Sequence, residues 1–108
     1  MSVAEAARSL QDLLTRRLTA YIVNVKDGKS ITRWINGEVK AIRPESEVRL
    51  RTAYEIQVLL SRCESPQTVR AWFIGLNPDL GDLSPAEAIH EGRMQEALAA
   101  AREFVARG

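Results

Sequence analysis

The chain is short of almost everything that builds an active centre. Among 108 residues there is one histidine, His90, and one cysteine, Cys63. A lone cysteine excludes an intramolecular disulfide and fits a reducing cytoplasm. One His and one Cys leave no dense zinc site, because such sites take three or four ligands. The carboxylates are scattered. Asp79 and Asp82 flank a loop glycine, and Glu87 and Glu91 lie one helical turn apart. Capping and solvation explain them more simply than acid–base work. Gly75–Gly81 lacks the Gly-Lys-Ser/Thr of a phosphate loop. No apolar run approaches the ~18 residues that span a membrane. The opening Met-Ser-Val-Ala-Glu-Ala-Ala has no basic segment followed by an apolar core, so no secretory leader is expected. The expectation is a cytoplasmic, non-enzymatic protein without metal or cofactor.

What is present reads as helix. Hydrophobic residues make up 45% and charged residues 27%, ordinary values for a folded domain. Net charge is +1 overall but uneven: residues 1–62 carry +4 and residues 63–108 carry −3. The basic front suits a polyanion, although a solvated charged face is the commoner cause of such a bias.

Ser2 with Glu5 makes a capping box, and Val3, Ala6, Leu10, Leu13 and Leu14 recur at helical spacing. A helix over 3–16 follows, closed by Arg16-Arg17, with Thr19 as cap of a second helix. Pro44 suits a first helical turn, and Val48, Thr52, Ile56, Leu59, Leu60 and Cys63 extend from it over about 18 residues. Ser65-Pro66 opens a helix with Val69, Trp72, Phe73 and Leu76 on its apolar face. Ser84-Pro85-Ala86-Glu87 opens another, stopped by Gly92. Met94, Leu98, Ala101 and Val105 stripe a last helix, with Ala97 and Phe104 beside them. The fold class is therefore all-α. A boundary near Cys63–Ser65 separates a front region, 1–63, from a back region, 64–108.

Residues 18–38 admit two readings. Asp27-Gly28 between apolar runs is a hairpin signal. As helices, the same residues turn at Lys26–Gly28, with Asp27 as cap, Ile31, Trp34 and Ile35 as apolar face and Gly37 as left-handed stop. That is a helix-turn-helix, which places side chains in the DNA major groove. Lys26, Lys29, Arg33 and Lys40 would neutralise phosphates, and Ser30, Thr32 and Arg33 would reach base edges. In the back region, Trp72, Phe73, Leu76, Pro78 and Leu80 are many large apolar groups for so short a stretch. Buried aromatic anchors carry much of an interface's energy. The plainer use of Trp72 and Phe73 is as core, with Leu76–Leu80 as an exposed edge.

Two motifs carry a resemblance. Leu18-Thr19-Ala-Tyr-Ile, then Ser30-Ile31-Thr-Arg33-Trp34-Ile-Asn-Gly37-Glu38, resembles the helix-turn-helix of Xre-like regulators. Trp72-Phe73, then Leu76-Asn77-Pro78-x-Leu80-Gly81, then Leu83-Ser84-Pro85-x-Glu87-x-Ile89 to Gly92, resembles the toxin-binding domain of Xre/MbcA/ParS antitoxins. The likeness covers about residues 18–106, although the turn Val25–Lys29 is shorter than usual. It implies an antitoxin of a type II toxin–antitoxin system, paired with a RES-domain toxin that consumes NAD⁺. It also implies autoregulation by binding operator DNA as a homodimer within a larger hetero-oligomer. Trp72, Leu76, Asn77, Pro78 and Leu80 would meet the toxin, and Arg102 and Arg107 would reach its pocket. The alternative is a stand-alone helix-turn-helix repressor whose back region only dimerises. A third reading is a small helical adaptor with no DNA role.

Overall fold

The computed structural model describes residues 2–38 and 41–108. It is all-helical, with no strand among the described residues, so the hairpin alternative for 18–38 is not adopted. The elements are α1 (Val3–Leu14), α2 (Arg16–Ile22), α3 (Gly28–Ile35), α4 (Pro44–Ser61), α5 (Pro66–Ile74), a 3₁₀ turn (Pro78–Leu80), α6 (Pro85–His90) and α7 (Met94–Arg107). No helix among the described residues is long and apolar enough to cross a membrane.

Local signals set most helix starts. Ser2 Oγ accepts the Glu5 N–H at 3.1 Å, and Ser65 Oγ accepts that of Thr68 at 3.3 Å. Ser84 and Glu87 form a reciprocal capping box, at 3.0 Å to the Ser84 hydroxyl and 2.9 Å to the Glu87 carboxylate. These bonds hold the Glu87 carboxyl below its usual value, chiefly through the Ser84 backbone N–H and then its hydroxyl, against desolvation.

The first connection departs from expectation. α1 ends at Leu14 rather than Arg16, and Arg16-Arg17 open α2 instead of closing α1. The cap of α2 is Thr15, not Thr19. Thr15 Oγ1 accepts the Leu18 N–H at 3.2 Å, while its carbonyl takes the Thr19 hydroxyl at 2.7 Å. Thr19 is fully buried. Thr15 sits at φ 96°, ψ 158°, a region that suits glycine and strains a β-branched residue. Its capping bonds offset that strain and let the chain break sharply between the two helices.

α4 is the central strut. Ser46, Leu50, Ala53, Ile56 and Leu60 form its buried line. It packs on α1 on one side and α7 on another. Val48, expected inside, is 48% exposed. A helix with neighbours on several sides carries no single apolar stripe, so periodicity misplaced its face. α7 departs in a similar way. Its buried line is Ala97, Ala100 and Ala101, with Leu98, Phe104 and Val105 half-buried beside it. Small residues at the contact let helices approach closely.

The turn between α4 and α5 falls at the expected boundary, yet one apolar core runs across it, joining Leu10, Ile31 and Leu50 with Phe73, Leu80 and Ile89. Polar bonds pin the two regions further. Arg70 Nε donates to the Leu13 carbonyl at 2.8 Å, and Arg49 Nε to those of Ile89 and His90 at 3.0 and 3.1 Å. In each case a guanidinium satisfies carbonyls at a helix C-terminus. His90 closes α6 and stacks on Tyr21 of α2, with ring centroids 4.0 Å apart and planes 8° from parallel. Its Nδ1 lies 2.6 Å from the Tyr21 carbonyl. Burial there, then the charges of Glu87 and Glu91, raise the Tyr21 phenol above its ordinary value.

Candidate functional site

The first candidate surface is α3 with the turn before it. That turn is set by Asn24 rather than by Lys26–Gly28. Asn24 takes φ 62°, the Val25 N–H reaches the Ala20 carbonyl at 3.1 Å, and the Asn24 N–H reaches that of Tyr21 at 3.1 Å. This is a Schellman stop, with Asn supplying the left-handed residue. Asp27 Oδ1 then caps α3 through the Lys29 N–H at 3.0 Å, and Gly28 is the first helical residue. Gly37, at φ 77°, closes α3 as the sequence indicates.

Ile31 and Trp34 anchor α3 in the core, at 0% and 6% exposed. Lys26, Lys29 and Arg33 are therefore left outside. Ser30 is half-buried. Thr32 is half-buried as well, and its hydroxyl is engaged within the protein. It donates to the Gly28 carbonyl at 3.3 Å and accepts from Arg16 at 3.2 Å. The Thr32 hydroxyl is thus already braced within the protein. Lys40 lies outside the described residues. Lys26, Ser30 and Arg33 line one open cleft with Trp34, Arg43 and Ser46, about 710 Å³ in volume. Arg43 and Ser46 were missed by sequence reasoning. Only their position, flanking the first-turn Pro44, marks them in the sequence.

The second candidate surface is the edge after α5. Val69, Trp72 and Phe73 turn inward, and Phe73 meets Trp72 edge-on at 5.4 Å. Ile74 and Leu76 turn outward, at 54% and 73% exposed. A small cavity of about 190 Å³ brings together Trp72, Leu76, Asn77, Pro78, Phe104 and Arg107. The Trp72 Nε1–H is buried without a hydrogen-bond partner among the described residues. Asn77 organises the loop, with its Oδ1 accepting the Asp79 N–H at 2.9 Å and its backbone N–H donating to Leu83 at 2.9 Å.

Two expected members of this edge stand apart from it. Leu80 is 1% exposed and belongs to the core; it ends the 3₁₀ turn, where its N–H donates to the Asn77 carbonyl at 2.9 Å. Arg102 lies toward α4 instead, 3.9 Å from Glu55. Arg107 is at the edge, but its charge is met locally by Glu103 at 3.1 Å and Asp79 at 3.8 Å. Phe104 joins the edge through a tilted contact with Trp72 at 6.4 Å. The sequence shows Phe104 only as a flank of the α7 stripe.

Compared with models of known protein families, with curated proteins and with solved structures, the chain matches none.

Proposed function

We propose that the protein is a DNA-binding antitoxin without catalytic activity of its own. It silences a RES-type NAD⁺-consuming toxin by direct contact and represses its own promoter as a homodimer in a larger hetero-oligomer. The front region carries the DNA role, with Lys26, Lys29 and Arg33 on phosphates or base edges. The back region carries the toxin role, through Leu76, Pro78 and the rim of Trp72.

The observation that carries this reading is Leu76. A leucine 73% exposed beside Ile74, 54% exposed, is hydrocarbon left in water next to a well-packed core. Burying such a side chain gains about 1.5–3 kcal/mol, which is what a partner would recover. What supports the DNA role is the capped α3, with its apolar face inside and its cations outside.

The test is co-expression with the product of the adjacent gene. That product should be toxic alone, become harmless with this chain and co-purify with it. A harmless neighbour, or one that does not co-purify, ends the antitoxin reading. If the purified chain then still dimerises through Leu76 and binds DNA, the stand-alone repressor takes its place.

A further inference from the structure

The cleft beside α3 holds a combination that base reading does not use. Lys26, Arg33 and Arg43 line it against one carboxylate, Glu38, with Trp34 as apolar wall. Ser46 also lines it. Ser46 is 1% exposed, and its hydroxyl has no hydrogen-bond partner among the described residues. A buried hydroxyl left without a partner is costly, and a water or a ligand atom reaching it from the cleft would satisfy it. Arg43 is lightly held. It reaches the Asn24 carbonyl at 3.4 Å and Glu45 at 4.0 Å, and its side chain is 67% exposed. Arg43 also precedes α4 as its N-cap without giving a side-chain cap, so the 18-residue helix starts uncapped.

The geometry points to a phosphate-binding site in this cleft. Lys26, Arg33 and Arg43 supply the charge, and the Ser46 hydroxyl donates to a phosphate oxygen. The start of α4, which carries Arg43 and Ser46, adds the positive end of its dipole, offset in part by Glu45 and Glu47 in its first turn. Arg suits this role because its planar fork matches a phosphate, while Lys acts as a point charge. Glu38 limits the charge the site tolerates and favours one phosphate over a polyphosphate. The phosphate is either a free phosphomonoester or a diester of the DNA backbone; only the second source rests on the DNA-binding role proposed above.

The test is NMR titration of the isotope-labelled full chain at low salt, once with inorganic phosphate and once with a short DNA duplex. Inorganic phosphate should shift the resonances of Arg33, Arg43 and Ser46 together. Ser46→Ala should weaken phosphate binding about tenfold, the loss expected for one bond to a charged group. It should not lower the thermal midpoint, because it removes an unpartnered hydroxyl. Arg43→Gln should weaken phosphate binding as well. If Ser46→Ala also weakens duplex binding about tenfold, the source is the DNA backbone. If it spares duplex binding while losing phosphate, the source is a free phosphomonoester. Phosphate binding with no duplex binding at all would leave the cleft standing and sink the DNA role. Duplex binding that depends on Arg33 but not on Ser46, with no shift from phosphate, would sink the cleft and leave the DNA role.

Discussion

α3 and α5 are helices of nearly equal length, each capped by a side-chain oxygen and each anchored by a tryptophan, yet they leave opposite things outside. α3 keeps Ile31 and Trp34 in and presents Lys29 and Arg33 outward, with Lys26 exposed in the turn before it. α5 keeps Val69, Trp72 and Phe73 in and lets Ile74 and then Leu76 project. Exposed cations are cheap to keep and respond to salt. Exposed hydrocarbon forfeits transfer free energy in the free protein and recovers it on association. The same packing scheme thus leaves one surface cationic and another apolar. One continuous core holds the two in a fixed relation.

The sharpest way to break this contrast is to truncate the two leucines of the edge loop separately. Leu80→Ala empties a fully buried site and should cost about 2–5 kcal/mol in urea unfolding. Leu76→Ala should cost less than about 0.5 kcal/mol, the range for surface changes. Equal costs would mean that Leu76 is not free. At the break between α1 and α2, Thr15→Gly relieves backbone strain while giving up little capping. It should stabilise the fold by about 1 kcal/mol, read from the same unfolding curves. A loss would mean that the Thr15 hydroxyl contributes more than the strain costs.

Smaller effects sharpen the contrast. Arg33→Ala should weaken retention on DNA and lower the slope of log affinity against log salt by about one phosphate contact, measured by filter binding. The loop that carries the apolar edge runs into the Ser84–Glu87 capping box, which sets an acid dependence. The Glu87 carboxyl is depressed in the folded state by the Ser84 N–H and hydroxyl. Its stabilising contribution is therefore complete above the usual carboxylate range and is lost as pH falls through its lowered folded value. Glu87→Gln should flatten that acid limb of a thermal-melt series and lower stability near neutral pH, where the carboxylate's contribution is complete. An unchanged acid limb would contradict this assignment.

Much of this architecture was legible because it is local. Asp27, Pro44, Ser65-Pro66, Ser84-Pro85, Gly37 and Gly92 announce their caps and stops through short-range chemistry, and each sits where that chemistry requires. What was hidden depends on neighbours. Val48 was misjudged because α4 is contacted on several sides, which no single period records, whereas Ala101 and its neighbour Ala97 are buried as their spacing indicates and only Ala100 was unmarked. Thr15 was missed because its conformation is one that a threonine ordinarily avoids, so only the tertiary break between α1 and α2 accounts for it. In the candidate sites, Lys26, Arg33, Trp72 and Leu76 could be picked by residue type. The burial of Leu80, the internal bonding of Thr32 and the orphan hydroxyl of Ser46 arise from the packing around them, and the chain gives no local sign of them.

The proposed function needs two separate surfaces, one for DNA and one for a protein partner. The most direct measurement is a paired assay on wild type, Leu76→Asp and Arg33→Ala, each co-expressed with the adjacent gene product and scored for partner co-purification and for retention on promoter DNA. Leu76→Asp should abolish co-purification and keep DNA retention, while Arg33→Ala should keep co-purification and weaken DNA retention. Loss of both activities in either variant, with the fold intact by circular dichroism, would contradict two independent surfaces. Retention of the partner by Leu76→Asp would contradict the apolar edge itself.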